Sequence, residues 1–287
     1  LTFVATINSI IYNNAKPIFL DVDRDTMGLS PKALKKFLEK NAYIKNNKCW
    51  NKTTEKRIAA CLPMHTFGFP CRINKIKEIC DLWNINLIED SAESLGSFVD
   101  KKHTGTFGKM SIFSFNGNKL ITSGGGGMVI TNEKLVEKKI RHLITTAKIE
   151  KNNTFSHDMV GYNYRLPNLN ASLGSAQMEK LNKFLKIKKM RAKKWNMFFK
   201  DKDIKFVNGI KKTDPNYWLY TIIMKNKFEK NNLLQFLNAN NIMARSSWKL
   251  MNKLPMFNKY QSGDLKHSEW LSDRIINLPS SPIKICD

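Results

Sequence analysis

The sequence predicts an α/β fold with a largely parallel sheet. Apolar, β-prone runs alternate with amphipathic helical stretches in the first half of the chain. Residues 86–88 form a short apolar run that breaks into Glu89-Asp90, which is typical of a buried parallel strand with an acid at its carboxyl end. Residues 111–115 are also β-prone, and Lys119 follows them in a loop rich in Gly and Asn. Asp90 and Lys119 are therefore expected at the same edge of the sheet.

The other elements of the first half follow from local signals. The opening apolar segment is expected to be helical, and residues 15–23 are expected to form a strand that ends in Asp21 and Asp23. Ser30-Pro31 predicts a helix start, with Ser as N-cap and Pro at the first helical position. Residues 56–63 predict a strand, and residues 73–83 predict an amphipathic helix that leads to the Asp90 strand.

The second half predicts a connecting helix and a smaller unit. After a strand at 128–131 and a helix within 132–147, the apolar spacing from Leu169 predicts a long helix that continues through the basic stretch 183–194. Strands are expected at 204–207, 217–224 and 242–248, with a helix at 227–239. We expect a large domain at 1–168, a connecting helix at 169–194 and a small carboxyl-terminal domain at 195–287.

Composition limits the functional classes. The 287 residues carry a formal net charge of +24, but the lysines are scattered and form no aromatic-laced basic stripe, so a compositional bias is favoured over nucleic-acid binding. No apolar run approaches the roughly 18 residues of a membrane span. The odd number of cysteines, without a C-x-x-C pair, favours the reducing cytoplasm over a disulfide framework or a zinc site (Cys49, Cys61, Cys71, Cys80 and Cys286).

Two motifs carry a family resemblance, E-D-S-A-E-S-L-G from residue 89 and F-N-G-N-K-L-I-T-S-G-G-G-G from residue 115. With them the chain resembles the DegT/DnrJ/EryC1/StrS sugar aminotransferases, which are pyridoxal-phosphate (PLP) enzymes of fold type I. The motifs are most similar to the branch that aminates UDP-4-keto-6-deoxy-N-acetylglucosamine in bacillosamine or legionaminic acid biosynthesis. The resemblance extends from Leu1 to residue 283 and implies an α/β large domain with a smaller α+β carboxyl-terminal domain.

The resemblance assigns the cofactor site residue by residue. Lys119 stands five residues after Ser114, so it would carry PLP as a Schiff base while the Ser114 hydroxyl binds the phosphate. Asp90 would pair with the pyridine nitrogen and favour its protonated form. Glu93 stands where many relatives carry Gln near the phenolic oxygen, and a carboxylate there would need one of the two oxygens to be protonated.

Five further positions are weaker candidates. Phe3 matches the aromatic residue that stacks on the cofactor ring, although a Phe in an apolar segment is also typical of a core. Asn163 would reach across a homodimer interface to the neighbour's phosphate, or would simply form a turn. His65 would lie near the cofactor, or would be a structural hydrogen-bonding group. Arg245 and Trp248 are candidate sugar-nucleotide contacts by their place in the small domain.

The glycine run 124–127 has neither P-loop nor Rossmann spacing. It is expected to let the backbone turn beneath the Lys119 loop. A nucleotide cradle of either kind is therefore not indicated.

The reaction implied is a ping-pong transamination. An amino acid, glutamate by resemblance, would donate its amine, and a nucleotide-linked 4-keto-6-deoxy sugar would accept it, with Lys119 as general base and acid. A histidine in place of this lysine marks relatives that remove a hydroxyl, so Lys119 favours transamination.

The resemblance also implies that about 70 to 90 residues with an S-G-T-A-A phosphate-binding segment precede Leu1, and that the chain ends before the family's last helices. Two alternatives stay open: a PLP-fold relative without catalysis that acts as a regulatory or interaction protein, and a basic nucleic-acid-binding protein.

Overall fold

The computed structural model describes residues 1–151 and 154–282, with the side chains of residues 150, 151 and 155 left out. Cys286 and the expected truncation at residues 285–287 lie outside the described residues. Among the described residues, no helix is both long and apolar enough to cross a bilayer.

The helices begin and end near the predicted positions. Ser30 is the N-cap of the second helix, where its hydroxyl accepts a hydrogen bond from the Ala33 N–H, and Pro31 is the first helical residue. The α-helices are α1 (Val4–Tyr12), α2 (Pro31–Asn41), α3 (Ile73–Leu82), α4 (Lys134–Ile144), α5 (Asn168–Glu179), α6 (Leu181–Phe199), α7 (Lys227–Ala239) and α8 (Lys266–Ser272).

The strands form two four-stranded sheets and smaller pairings. The strands are β1 (Ala42–Lys45), β2 (Lys48–Asn51), β3 (Ala60–Cys61), β4 (Asn86–Asp90), β5 (Phe98–Val99), β6 (Lys102–His103), β7 (Met110–Ser114), β8 (Gly127–Ile130), β9 (Lys148–Lys151), β10 (Thr154–His157), β11 (Lys205–Phe206), β12 (Thr213–Asp214), β13 (Tyr220–Ile223), β14 (Arg245–Ser246) and β15 (Ile275–Leu278).

The first sheet has the strand order β3-β4-β7-β8. β3, β4 and β7 are parallel, and β8 is antiparallel to β7. Parallel strands need their faces covered, and buried side chains of α2 and α3 pack with Leu87 of β4 in one core cluster. The predicted α/β class with a parallel sheet is confirmed.

The second sheet, β11-β13-β15-β14, is antiparallel throughout. β13 and β15 lie in its middle and every one of their residues is buried. Residues of α6 and α7 pack with these strands in one core cluster. This arrangement agrees with the expected α+β smaller unit.

Contacts cross the expected domain boundaries. One buried cluster contains Val22 and Phe67 from the first part of the chain together with Trp218 and Ile275 from the last. β12 pairs with β5 across the same divide. The boundaries at residues 168 and 195 therefore stay a prediction.

Several predicted elements differ from the structure. Residues 15–23 form no strand, because they make only isolated bridges, Phe19 with Ser262 and Val22 with Leu29. The strands expected at 56–63, 204–207 and 242–248 are reduced to the two-residue strands β3, β11 and β14. The long helix is interrupted at Lys180, where the Lys180 N–H bonds to Gln177 in a tighter turn and α6 begins one residue later.

Candidate active site

The carboxyl ends of β4 and β7 meet at one edge of the first sheet. Asp90 ends β4, Ser114 ends β7, and the parallel register pairs Asp90 with Ile112. Because the chains leave both strands in the same direction, the loops that follow them lie side by side. The predicted common edge for Asp90 and the Lys119 loop is confirmed.

The loop that carries Lys119 is closed by the glycine run. The Phe115 N–H donates to the Gly126 carbonyl and the Ser123 N–H donates to the Phe115 carbonyl, each at 3.0 Å. Gly126 has φ of 91°, and a Cβ there would lie 2.7 Å from Leu166 Cδ1. A larger residue would meet both backbone strain and a steric clash. The predicted turn beneath the Lys119 loop is confirmed.

The Lys119 ammonium lies between a carboxylate and an aromatic ring. Its Nζ is 3.6 Å from Glu93 Oε1, and the two side chains are 13% and 1% exposed. Nζ also lies 4.2 Å from the centroid of the Trp218 ring. This amine is therefore largely withdrawn from water and has two specific partners.

Glu93 is a buried carboxyl with an unusual proton affinity. Its Oε2 accepts a hydrogen bond from the Phe67 N–H at 2.8 Å. The pKa of Glu93 is raised to about 8, because the effect of burial, with a smaller contribution from Asp90, outweighs the opposing effects of the Lys119 ammonium and the Phe67 N–H. Near neutral pH Glu93 can therefore hold a proton or share one with Lys119.

This raised pKa predicts a pH-dependent stability. The folded protein binds the Glu93 proton up to a higher pH than the unfolded chain does, so the free energy of unfolding should fall as pH rises between the usual carboxyl range and about 8. In a Glu93→Gln variant, the loss of stability from about pH 5 to pH 8 should be smaller than in wild type by about 1 to 3 kcal/mol.

Urea unfolding at both pH values measures this difference. Glu133→Gln is the matched control, because Glu133 is a half-exposed acid whose partner is the surface residue Lys109. We expect the control to keep the wild-type pH dependence. An unchanged pH dependence in Glu93→Gln would contradict the raised pKa.

Asp90 is held on both oxygens. Oδ2 accepts a hydrogen bond from the Thr6 hydroxyl at 2.6 Å, and Oδ1 accepts one from the Ala92 N–H at 3.2 Å. The carboxylate is buried and close enough to the Glu93 carboxyl to raise the pKa of Glu93. Its orientation is thus set by α1 as well as by its own strand.

Aromatic rings connect the start of the chain to the second half. Trp248 packs on Phe3 with a centroid distance of 5.6 Å and on Phe67 at 4.9 Å. Phe67 has φ of 56°, and this left-handed backbone carries the N–H that donates to Glu93. Phe3 remains 44% exposed. Two separately predicted residues, Phe3 and Trp248, are therefore neighbours. Trp248 also contacts Phe67, whose N–H donates to Glu93.

His65 uses both ring nitrogens within the protein. Nδ1 accepts a hydrogen bond from the Cys71 N–H at 3.2 Å, so Nε2 carries the proton toward Glu89 Oε2 at 3.1 Å. Burial alone would raise the pKa of Glu89, but hydrogen bonds from His65 and from backbone N–H groups at Gly105 and Gly108 lower it. This geometry supports the structural interpretation of His65 and leaves no ring nitrogen for a cofactor.

The remaining predicted residues are at the periphery of this cluster. The Ser114 hydroxyl has a weak partner, the Asn116 N–H at 3.4 Å. Asn163 is exposed and its backbone bridges to Thr145, so its contact with a second copy stays a prediction. Arg245 is exposed on β14 with Nη2 at 3.6 Å from Met243 Sδ. A role for Arg245 in binding the substrate stays a prediction.

Sequence reasoning missed Trp218, Thr6 and Phe67. Thr6 lies 84 positions before Asp90 in the chain and orients its carboxylate. Trp218 follows α6 in the chain and contacts Lys119. No motif or local periodicity marks such contacts, because they depend on how segments that are distant in the chain pack together.

Comparison with known proteins identifies the chain's relatives. The model of the DegT/DnrJ/EryC1/StrS aminotransferase family matches residues 1–283. EpsN of Bacillus subtilis (strain 168), named as a pyridoxal phosphate-dependent aminotransferase, is 35% identical over 257 residues, which are 89% of this chain and 63% of that protein. A GDP-perosamine synthase of Vibrio cholerae is 34% identical over 289 residues, covering 100% of this chain and 74% of that protein.

Solved structures agree with these relatives. A DegT DnrJ EryC1 StrS aminotransferase from Brucella abortus superimposes with a TM-score of 0.88 at 25% identity, over 98% of this chain and 72% of that one. The chain thus spans about two thirds to three quarters of the length of these relatives. The resemblance stated from the two motifs is confirmed, and the chain belongs to the DegT/DnrJ/EryC1/StrS aminotransferase family.

Proposed function

We propose that the protein is a PLP-dependent aminotransferase that moves an amino group, with glutamate as donor, to C4 of a nucleotide-linked 4-keto-6-deoxy sugar. The observation that carries this proposal is the Lys119 amine, withdrawn from water beside Glu93 at the sheet edge that also carries Asp90. The family of the chain supports the same reaction class.

The residues present fit PLP. An amine, a buried carboxylate and a weakly bonded hydroxyl lie at or just beyond adjacent strand ends, and they match the aldehyde, the ring nitrogen and the phosphate of the cofactor (Lys119, Asp90 and Ser114). PLP, when bound, would supply the electron sink that stabilises negative charge at the donor's Cα. Attachment, orientation and proton transfer remain the work of the protein.

Lys119 is proposed to move the proton at its Nζ. It must be a neutral amine to attack a carbonyl or to take a proton from Cα. Glu93 Oε1, at 3.6 Å, can receive the proton that Lys119 gives up, because burial raises the pKa of Glu93 to about 8. The pair would therefore keep one proton within reach of the reaction, and its net charge would not change as the proton passes from Lys119 to Glu93.

Asp90 and the aromatic residues are proposed to orient the cofactor. The Thr6 hydroxyl and the Ala92 N–H hold the Asp90 carboxylate, which would keep a proton on the ring nitrogen. The exposed part of Phe3, packed against Trp248, offers a flat apolar surface for the cofactor ring. Trp248 and Arg245 are proposed contacts of the sugar nucleotide.

The substrate proposal rests on the relatives and on the two motifs. Relatives include GDP-perosamine synthases, a dTDP-4-amino-4,6-dideoxy-D-glucose transaminase of Shigella dysenteriae and a UDP-4-amino-4,6-dideoxy-N-acetyl-β-L-altrosamine transaminase of Helicobacter pylori. We propose UDP-4-keto-6-deoxy-N-acetylglucosamine as the sugar, on the route to bacillosamine or legionaminic acid and so to surface glycans. The net charge of +24 would attract its diphosphate.

The proposed active unit is a cytoplasmic homodimer. Asn163 is exposed, as a residue that completes a neighbour's site must be. The four described cysteines are free thiols, which suits a reducing compartment (Cys49, Cys61, Cys71 and Cys80).

An absorbance spectrum of the purified protein with added PLP tests the function. We expect a visible band that glutamate bleaches, and borohydride reduction should fix the cofactor on Lys119, as located by peptide mapping. The glutamate-treated protein should then aminate the UDP sugar faster than the GDP or dTDP analogue. Absence of a band, or reduction onto another lysine, would overturn the proposal, whereas preference for another nucleotide would overturn only the choice of sugar.

A further inference from the structure

Trp218 touches the Lys119 loop at two points. The Lys119 Nζ lies 4.2 Å from the centroid of the Trp218 ring, and the Trp218 Nε1–H donates to the Asn118 carbonyl at 2.8 Å. Trp218 is 7% exposed and lies two residues before the start of β13. One side chain from the second half of the chain therefore contacts both the lysine and the backbone immediately before it.

Trp218 is itself held firmly. Its carbonyl accepts hydrogen bonds from Lys188 Nζ at 3.1 Å and from the Ser280 hydroxyl at 2.7 Å. Its N–H donates to Asn216 Oδ1 at 2.7 Å, and Asn216 Nδ2 donates to the Glu93 carbonyl at 2.8 Å. The backbone of Trp218 is thus tied to α6, to the end of β15 and to the segment that carries Glu93.

The contact between Nζ and the ring favours one form of the lysine. A ring face attracts an ammonium, and the attraction is stronger where water is excluded, as it is at this site. Neutral amines gain no such attraction. The ammonium of a Lys119 without bound cofactor therefore has a defined resting position, between the Trp218 ring and Glu93 Oε1.

We propose that Trp218 is a positioning residue that holds the ammonium of unattached Lys119 in this resting position through its ring face. The contact keeps the Lys119 Nζ beside Glu93, at 3.6 Å from Oε1. Its consequence for turnover rests on the proposed function, but the contact itself does not. Loss of the ring should make the lysine amine more reactive when no cofactor is present.

Competitive labelling of lysines by acetic anhydride, measured by mass spectrometry without PLP, tests this contact. Only neutral amines react, so the midpoint of the pH profile reports the preference for the ammonium, while the plateau at high pH reports exposure. In Trp218→Leu the Lys119 midpoint should move down by about one pH unit, which is about tenfold faster labelling at neutral pH relative to the exposed reference Lys32.

Trp218→Phe is the matched variant. It keeps a ring face but removes the Nε1–H that bonds to Asn118, so its midpoint should move by about half as much or less. An unchanged midpoint in Trp218→Leu, or equal shifts in both variants, would overturn the proposal, because the ring face would then not be the cause. If far-UV circular dichroism shows that Trp218→Leu is unfolded, Trp218→Met replaces it, because the unbranched Met side chain adapts better to an irregular space.

The outcome is separable from that of the proposed function. If PLP never attaches to Lys119, the labelling profiles still report the Trp218 contact. If PLP attaches but the profiles do not change in the variants, the function stands and the positioning role of Trp218 falls.

Discussion

Replacing Lys119 by Met is expected to lower the rate of amino transfer by about 10⁴-fold. The variant removes the amine that we propose attaches the cofactor and carries the proton at the reacting carbon, and Glu93 loses its cationic partner at 3.6 Å. A single-turnover assay with glutamate, followed by absorbance, measures the first half-reaction directly.

Lys102→Met is the matched control for this prediction. Its Nζ also lies over an aromatic ring, 4.6 Å from the centroid of Phe107, but the residue is exposed and outside the cluster around Lys119. Its half-reaction rate should stay within about twofold of wild type. A Lys119→Met protein that retains more than about one hundredth of the wild-type rate would show that another group moves the proton.

Replacing Asp90 by Asn is expected to slow the same half-reaction by about 10² to 10³-fold. The amide is nearly isosteric, so the fold should be kept: its oxygen can still accept the hydrogen bond of the Ala92 N–H, and its NH2 group can donate to the Thr6 hydroxyl oxygen. It carries no negative charge, however, and therefore cannot favour a proton on the cofactor's ring nitrogen. The measurement is the single-turnover rate, with the unfolding midpoint in urea as the check on folding.

Thr6→Val separates the charge of Asp90 from its orientation. It removes the hydroxyl that donates to Asp90 Oδ2 at 2.6 Å and leaves the carboxylate in place. We expect a smaller loss, about three- to tenfold. If Thr6→Val were as slow as Asp90→Asn, orientation rather than charge would be the contribution of Asp90.

Sequence patterns were most reliable where the signal was local. Ser30-Pro31 predicted the start of α2 correctly, because the capping hydrogen bond of Ser30 and the fixed φ of Pro31 both act within one helical turn. The same kind of signal failed for residues 15–23, whose apolar run predicted a strand but which make only isolated bridges, to Leu29 and to the distant Ser262. Strand formation needs a second strand, and a partner more than two hundred positions away leaves no local trace.

The candidate site divides in the same way. The position of Asp90, Ser114 and Lys119 at one sheet edge could be predicted because strand ends, loops and two motifs lie within one stretch of chain. The sequence could not decide between a ligand-binding and a structural role for His65, because a lone histidine gives no local signal for either. In the structure its ring nitrogens face Glu89 and Cys71. Only the packed structure distinguishes these two cases.

The sequence by itself determined the α/β class, the common sheet edge of Asp90 and Lys119, and the family, because each depends on residues near one another in the chain. Only the tertiary structure decided the surroundings of the lysine. Trp218, from the second half of the chain, lies over the Lys119 ammonium, and burial raises the pKa of Glu93, which is about 8. Burial and ring contacts are properties of tertiary packing, and they set the charge of a side chain without changing its identity.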